Sequence, residues 1–326
     1  MTSSSVPSAH LRTADAVELA YGLVQHRATQ AGIRVLFVKG PVANYHQIRP
    51  QRTSADADVL VEPRRYQDFI ALLGADEWFE RPKAELLSRV TEHSITLINQ
   101  TWPCDIDVHE FFPGFLADPA EVFELLWQRR TPVQVANRIC YGTDLLGSIL
   151  IQGLHSIRSS TSNQRHPAEL AYLYDDVAPR LSEQDKNALR SLCEATGADF
   201  TLGGLLENLG VPLATRPLPA KWRDKAIAWH ARVQSDSTGA GQWITSIRKM
   251  VWWKRPYFLF RILWPTEADF RIGRFDLEPG WLAGFIGRWK RIIKGLGQLP
   301  RAVRSRSKAS RTTDLRDAPL TKHLKD

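Results

Sequence analysis

The stretch R-T-S-A-D-A-D-V-L-V, Arg52 to Val61, decides how this chain is read. Its second half, Asp56 to Val61, is an apolar run that ends before Pro63 and reads as a strand. Side chains two apart on a strand point to the same side, so Asp56 and Asp58 share one face. Upstream, R-V-L-F-V (Arg34 to Val38) reads as another strand, stopping at the turn Lys39-Gly40-Pro41. Downstream, a helix is expected from Arg64 to Leu73, with Gly74 as its C-cap. Strands are then expected at Ser94 to Asn99 and Asp105 to Phe111, separated by a turn at Thr101-Trp102-Pro103. With a helix at Asp15 to Gln30, the pattern is α+β: a small mixed β-sheet flanked by helices.

Asp105 and Asp107 repeat the D-x-D arrangement on a second strand. Two pairs of like charges on neighbouring strands are costly to bury unless a cation neutralises them. A single D-x-D is commonly a solvated strand end, and the combination is what separates this sequence from that reading. Oxygen donors without a cysteine or histidine cluster suit Mg2+ or Mn2+. No G-x-S-x-G, Walker-type loop or H-E-x-x-H is present, so hydrolase, P-loop and zinc-protease readings lack support.

The ordered set F-V-K-G (Phe37 to Gly40), R-T-S-A-D-A-D-V-L-V (Arg52 to Val61) and D-I-D-V-H (Asp105 to His109) resembles the uncharacterised nucleotidyltransferase family of the DNA polymerase beta-like superfamily. The resemblance extends over roughly residues 15–215, through Leu145 to His155, Arg165 and the Asp175-Asp176 pair. It implies a nucleotidyltransferase in which Gly40 opens the nucleotide-binding turn, and Asp56, Asp58 and Asp107 are metal ligands and catalytic carboxylates. Such an enzyme would move a nucleoside monophosphate from an NTP, ATP among them, to a hydroxyl or phosphate acceptor and release pyrophosphate. Lys39 and Arg52 would neutralise phosphate charge. His93 and His109 would hydrogen-bond a ligating carboxylate or a phosphate, while His155 and His166 are read as structural. The alternatives are a protein-modifying nucleotidyltransferase, or a catalytically silent module that binds nucleotide or nucleic acid.

The chain has 326 residues, 43% hydrophobic and 24% charged, which is ordinary globular usage. The expected division is a nucleotidyltransferase core over 1–117 and a helical acceptor-side domain over 118–215, where strand signals fade. A Trp-rich helical extension over 216–304 and a disordered tail over 305–326 would follow. Within the helical domain, Asp144 to Ile157, Pro167 to Leu181 and Glu183 to Ala195 read as helices, the last with Ser182 as its N-cap and Gly197 past its end. Pro212 to Pro219 reads as a linker, and Lys221 to Val233 and Gln242 to Trp253 as further helices. Three widely spaced cysteines and a polar N-terminus without an apolar stretch lead to the expectation of a cytoplasmic protein.

The net charge of +8 is concentrated, because residues 281–313 hold nine lysines and arginines and no acid. Within 281–296 the apolar residues recur at helical spacing, with Arg288, Lys290, Arg291 and Lys294 on and beside the other side. The favoured reading packs this helix on the helical domain with its charges solvated. Peripheral contact with an anionic membrane comes second, and nucleic-acid binding third.

Overall fold

A computed structural model describes residues 11–82, 93–158, 165–213, 215–234, 247, 251–271, 280–290 and 292–293. The expected disordered tail over 305–326 and most of the expected helix Gln242 to Trp253 lie outside them. The chain divides into two compact units: residues 1–81, 94–111 and 123–148 form the first, and 82–93, 112–122 and 149–326 the second.

The first unit is built on a mixed sheet of seven strands, in the order β3-β4-β5-β2-β1-β7-β6. These are β1 (Val35–Phe37), β2 (Asp56–Val61), β3 (Phe79–Glu80), β4 (Ser94–Ile98), β5 (Asp105–His109), β6 (Thr131–Val135) and β7 (Arg138–Gly142). At its centre β2 runs parallel to β5, while β1 is antiparallel to β2 and β4 is antiparallel to β5. Helix α1 (Thr13–Ala31) covers the sheet with Ala16, Val17, Ala20, Tyr21, Val24 and Ala28. That spacing of three to four residues gives one apolar stripe. Gly32 ends the helix with φ 61°, a left-handed cap that glycine adopts without a Cβ penalty. The stripe packs with Ala57, Val59, Val61, Ile106 and Val108, the alternate residues of β2 and β5. The other alternation of those two strands carries the acids.

The sequence reading of this unit did not include α2 (Gly40–Tyr45) or β3, and it also differs at the β6–β7 hairpin and at Gly74. The strands β6 and β7 fall where strand signals were expected to fade. They form a hairpin whose turn, Ala136-Asn137, has positive φ at both residues, as a two-residue hairpin turn requires. Gly74 is not the expected cap, because it closes the last turn of α3 (Tyr66–Gly74) and Ala75 follows it in helical conformation.

Helix α4 (Pro119–Gln128) precedes β6 and α5 (Leu145–Arg158) follows β7; in the second unit, α6 (Arg165–Tyr172) continues into a π-turn over Leu173–Val177 and a 3-10 turn over Ala178–Arg180. Ser182 and Asp185 form a reciprocal capping box at the start of α7 (Glu183–Thr196), and Gly197 ends it at φ 75°. After α8 (Gly203–Asn208) the Pro212–Pro219 region has no regular structure at its described positions, and α9 (Arg223–Gln234) follows. Leu116 and Ala117 donate their backbone N–H groups to Thr196 O, and Lys225 Nζ donates to both of their carbonyls.

Candidate metal and nucleotide site

The parallel register of β2 and β5 sets Asp56 beside Asp105, Asp58 beside Asp107, and Leu60 beside His109. Alternation along each strand therefore collects Asp56, Asp58, Asp107 and His109 on the face opposite the apolar core. Ligand atoms of Asp58, Asp107 and His109 all lie within 4.8 Å of one another. The metal set expected from sequence was Asp56, Asp58 and Asp107. The structure groups the last two with His109 and leaves Asp56 beside them as an electrostatic neighbour.

Asp58 is the hub. Lys39 Nζ lies 2.5 Å from its Oδ1, and His109 Nε2 donates to the same oxygen at 3.0 Å. Burial alone would raise the Asp58 carboxyl, but the Lys39 charge and the His109 hydrogen bond hold it well below the usual carboxylate range. Asp56 behaves oppositely. Burial and the Asp58 charge push it up to about 6, against the opposing pull of Lys39. Two carboxylates two residues apart are thus held in different protonation ranges, because only one has a cation and a donor at contact distance.

Asp107 Oδ1 and Tyr21 Oη are buried here with no hydrogen-bond partner among the described residues. An orphaned carboxylate oxygen beside Asp58 is costly alone and suited to a hard cation. Asp58, Asp107 and His109 thus form a group that could hold a metal ion, with the Asp56 carboxylate adjoining it.

The turn before the site is strained. Lys39 has φ 59° and ψ −149°, a region that glycine fills far more easily than lysine. Gly40 has φ 47°, and a Cβ there would lie 2.5 Å from Tyr21 Oη. Glycine is required at this position on both counts. Gly40 opens α2 (Gly40–Tyr45), so the expected turn is also the first residue of a short helix. Arg49, buried in the following loop, donates to Gly40 O at 3.1 Å and to Ser54 Oγ at 3.2 Å. Sequence reading missed Arg49 and Tyr21, since neither belongs to a motif. Nothing in the sequence marks either, because Tyr21 lies within α1 and Arg49 nine residues past Gly40, and only the fold brings them to the turn.

Arg52 is half-buried in that loop, and its carbonyl accepts from Asn44 Nδ2 at 3.1 Å. His93 belongs to the second unit, where the Arg158 guanidinium donates to its Nε2 at 2.9 Å. A further cluster in the second unit joins His155, His166 and Glu169. Glu169 Oε2 accepts from Gln152 Nε2 and Ser156 Oγ, both at 2.9 Å, and His166 Nδ1 stands 3.3 Å away. That oxygen is already supplied with donors, as expected of a network tying α5 (Leu145–Arg158) to α6.

No protein-family model and no curated protein matches the chain. Among solved structures it is similar to the antibiotic-resistance factor ANT(2'')-Ia, at 12% identity and a TM-score of 0.32, over 60% of this chain and 91% of that one. It is also similar to an antigenic nucleotidyltransferase-like protein from Paracoccidioides brasiliensis, at 10% identity and a TM-score of 0.33, over 62% of this chain and 95% of that one.

Proposed function

We propose that the chain is a divalent-metal-dependent nucleotidyltransferase. Its nucleotide and metal would bind where Lys39 and Gly40 meet the carboxylate face of β2 and β5. The observation that carries this reading is the Asp58–Asp107–His109 cluster, with an orphaned Asp107 oxygen, beneath a strained Lys-Gly turn. The likeness of the three motifs to the nucleotidyltransferase family supports it as well.

Asp56, Asp58 and Asp107 would hold Mg2+ or Mn2+, which when bound supplies positive charge to the phosphates and acidifies an acceptor hydroxyl. The chain's own groups do the rest. His109 keeps Asp58 ionised and oriented through its Nε2 hydrogen bond. Lys39, freed from Asp58, places its ammonium on the phosphates, with Arg52 as a second neutralising charge. The acceptor oxygen attacks the α-phosphorus, the bond to the β-phosphate oxygen breaks, pyrophosphate leaves, and the acceptor proton passes to solvent; alternatively, Asp107 serves as general base and takes that proton in place of ligating the metal.

A second reading, a catalytically silent nucleotide-binding module, is favoured by the Lys39–Asp58 pair, in which a cation of the chain already neutralises the hub carboxylate. Calorimetric titration of each NTP with Mg2+, on wild type and on Asp56→Ala/Asp58→Ala, tests both readings. The expected result is Mg2+-dependent binding weakened at least about a hundredfold by the double substitution, about 2.7 kcal/mol. Binding that ignores the aspartates removes the metal–nucleotide site. Tight binding without pyrophosphate release on any acceptor class selects the silent module.

A further inference from the structure

The C-terminal part of the second unit turns its helices inside out. In α10 (Arg255–Leu263), Phe258 is buried while Tyr257, Leu259, Phe260 and Leu263 are exposed. Trp252, just before it, is 72% exposed. Helix 281–290 shows the inversion more sharply. Its Arg288 is only 8% exposed: Nε donates to Pro265 O at 3.1 Å, a terminal nitrogen meets Glu267 Oε2 at 2.5 Å, and the guanidinium lies 5.5 Å from the Trp264 ring centre. Gly284 sits on the same inner side, where a Cβ would stand 2.6 Å from Glu267 Oε1. The outer side presents Trp281, Leu282, Phe285, Ile286 and Trp289, with Trp281 75% exposed and Ile293 beyond them 67% exposed. The rings of Phe285 and Trp289 rest on Trp264 at 5.6 and 5.9 Å, so the helix is seated and its apolar stripe still faces outward.

A helix packed only for water buries its apolar stripe and solvates its arginine. Here a charge is buried and paired while an aromatic surface stays open, the signature of a surface that meets an apolar phase. The favoured sequence reading, with the apolar side packed and the charges solvated, does not hold for Arg288 or for the exposed stripe. We infer that this surface docks on an anionic lipid bilayer. Tryptophan and tyrosine are side chains of the membrane–water boundary, and the exposed Lys254 and Lys290 flank them. Of the nine positive charges of residues 281–313, Arg288 is paired with Glu267; the other eight, with no acid in that stretch, complement acidic headgroups. A second copy of the chain would instead bring two such basic runs together. No helix among the described residues is long and apolar enough to cross a membrane, so the contact lies in the plane of the interface.

Flotation of the full chain tests this, using phosphatidylcholine vesicles with and without roughly one-third phosphatidylserine. Wild type is expected to float with the anionic vesicles and on the order of tenfold less with the neutral ones. Trp281→Ser/Ile293→Ser should reduce flotation about tenfold or more at an unchanged melting temperature. Lys254→Glu/Lys290→Glu should reduce the preference for anionic lipid while the protein stays folded. Absence of wild type from both vesicle types overturns the inference, as does flotation insensitive to the apolar substitutions. A wild-type dimer by light scattering that Trp281→Ser converts to monomer also overturns it, because the surface is then covered by a second copy.

Discussion

Lys39 is held in a backbone region that costs on the order of 1–3 kcal/mol for a residue with a Cβ. Its ammonium meets Asp58, so the strain is stored where a charge can be handed from a carboxylate to an incoming anion. The neighbouring Tyr21–Gly40 approach is equally specific. The Tyr21 hydroxyl is buried without a partner among the described residues, and a methyl group on Gly40 would collide with it. Gly40→Ala should destabilise the protein by about 2–4 kcal/mol in urea unfolding. Tyr21→Phe should leave stability within about 1 kcal/mol of wild type or raise it, because a buried hydroxyl without a partner contributes nothing favourable. Combining the two should recover at least about 0.5 kcal/mol of the Gly40→Ala loss, the coupling expected of groups in contact. Additive behaviour would mean that the strain lies wholly in φ. Of these residues, Gly40 was legible in the sequence because Lys-Gly closes a strand run, and Asp56, Asp58 and Asp107 because D-x-D recurs. Tyr21 was not, because on α1 it is one apolar residue in a stripe, and only the folded turn gives its hydroxyl a meaning.

Elements explain where reading from sequence holds and where it stops. The Ser182 capping box was visible because its residues are local, and Ser182→Ala should cost about 1 kcal/mol by thermal or urea unfolding. The β6–β7 hairpin was hidden because β6 is an edge strand carrying Pro132, a residue that normally argues against a strand. An edge needs ladder bonds on one side only, so proline is tolerated there. Periodicity likewise revealed the stripe of helix 281–290 but not its direction, which the Arg288–Glu267 pair decides. In α9, His230 Nε2 donates to Phe200 O at 3.1 Å and its buried Nδ1 has no partner among the described residues. Burial lowers its pKa, with the Phe200 carbonyl opposing, so the fold favours neutral imidazole. The unfolded chain then binds the extra proton first. The His230 contribution is fully present above the unfolded value of about 6.5 and is lost as pH falls through the lower folded value. His230→Gln keeps a donor and removes the titration. Its melting temperature should fall less than that of wild type between about pH 7 and pH 5; equal slopes would exclude His230 as a source of acid sensitivity.

At the scale of the molecule, the two proposed activities use different residues in different units. Lys39, Asp56, Asp58, Asp107 and His109 lie in the first, while the outward aromatic helices lie in the second. Groups with no shared partner contribute independently, which separates the two readings experimentally. Asp58→Asn/Asp107→Asn should abolish Mg2+–NTP binding in calorimetry and leave flotation on anionic vesicles unchanged. Trp281→Ser/Ile293→Ser should do the reverse. Bound nucleotide should also raise the melting temperature by mass action, about 2.7 kcal/mol of stabilisation at a free concentration one hundred times Kd. That shift should vanish in the aspartate variant and persist in the aromatic one. A departure from independence would itself carry information. If anionic vesicles tighten nucleotide binding, nucleotide must tighten vesicle binding by the same factor, because coupling between two binding equilibria is reciprocal. Measuring the NTP affinity of wild type with and without anionic vesicles, and flotation with and without saturating Mg2+–NTP, reads both sides of that cycle. Equal factors above one mean that the membrane is an activating ligand of the nucleotide site. Factors of one mean that the aromatic surface only holds the protein at the bilayer and leaves its nucleotide site unchanged.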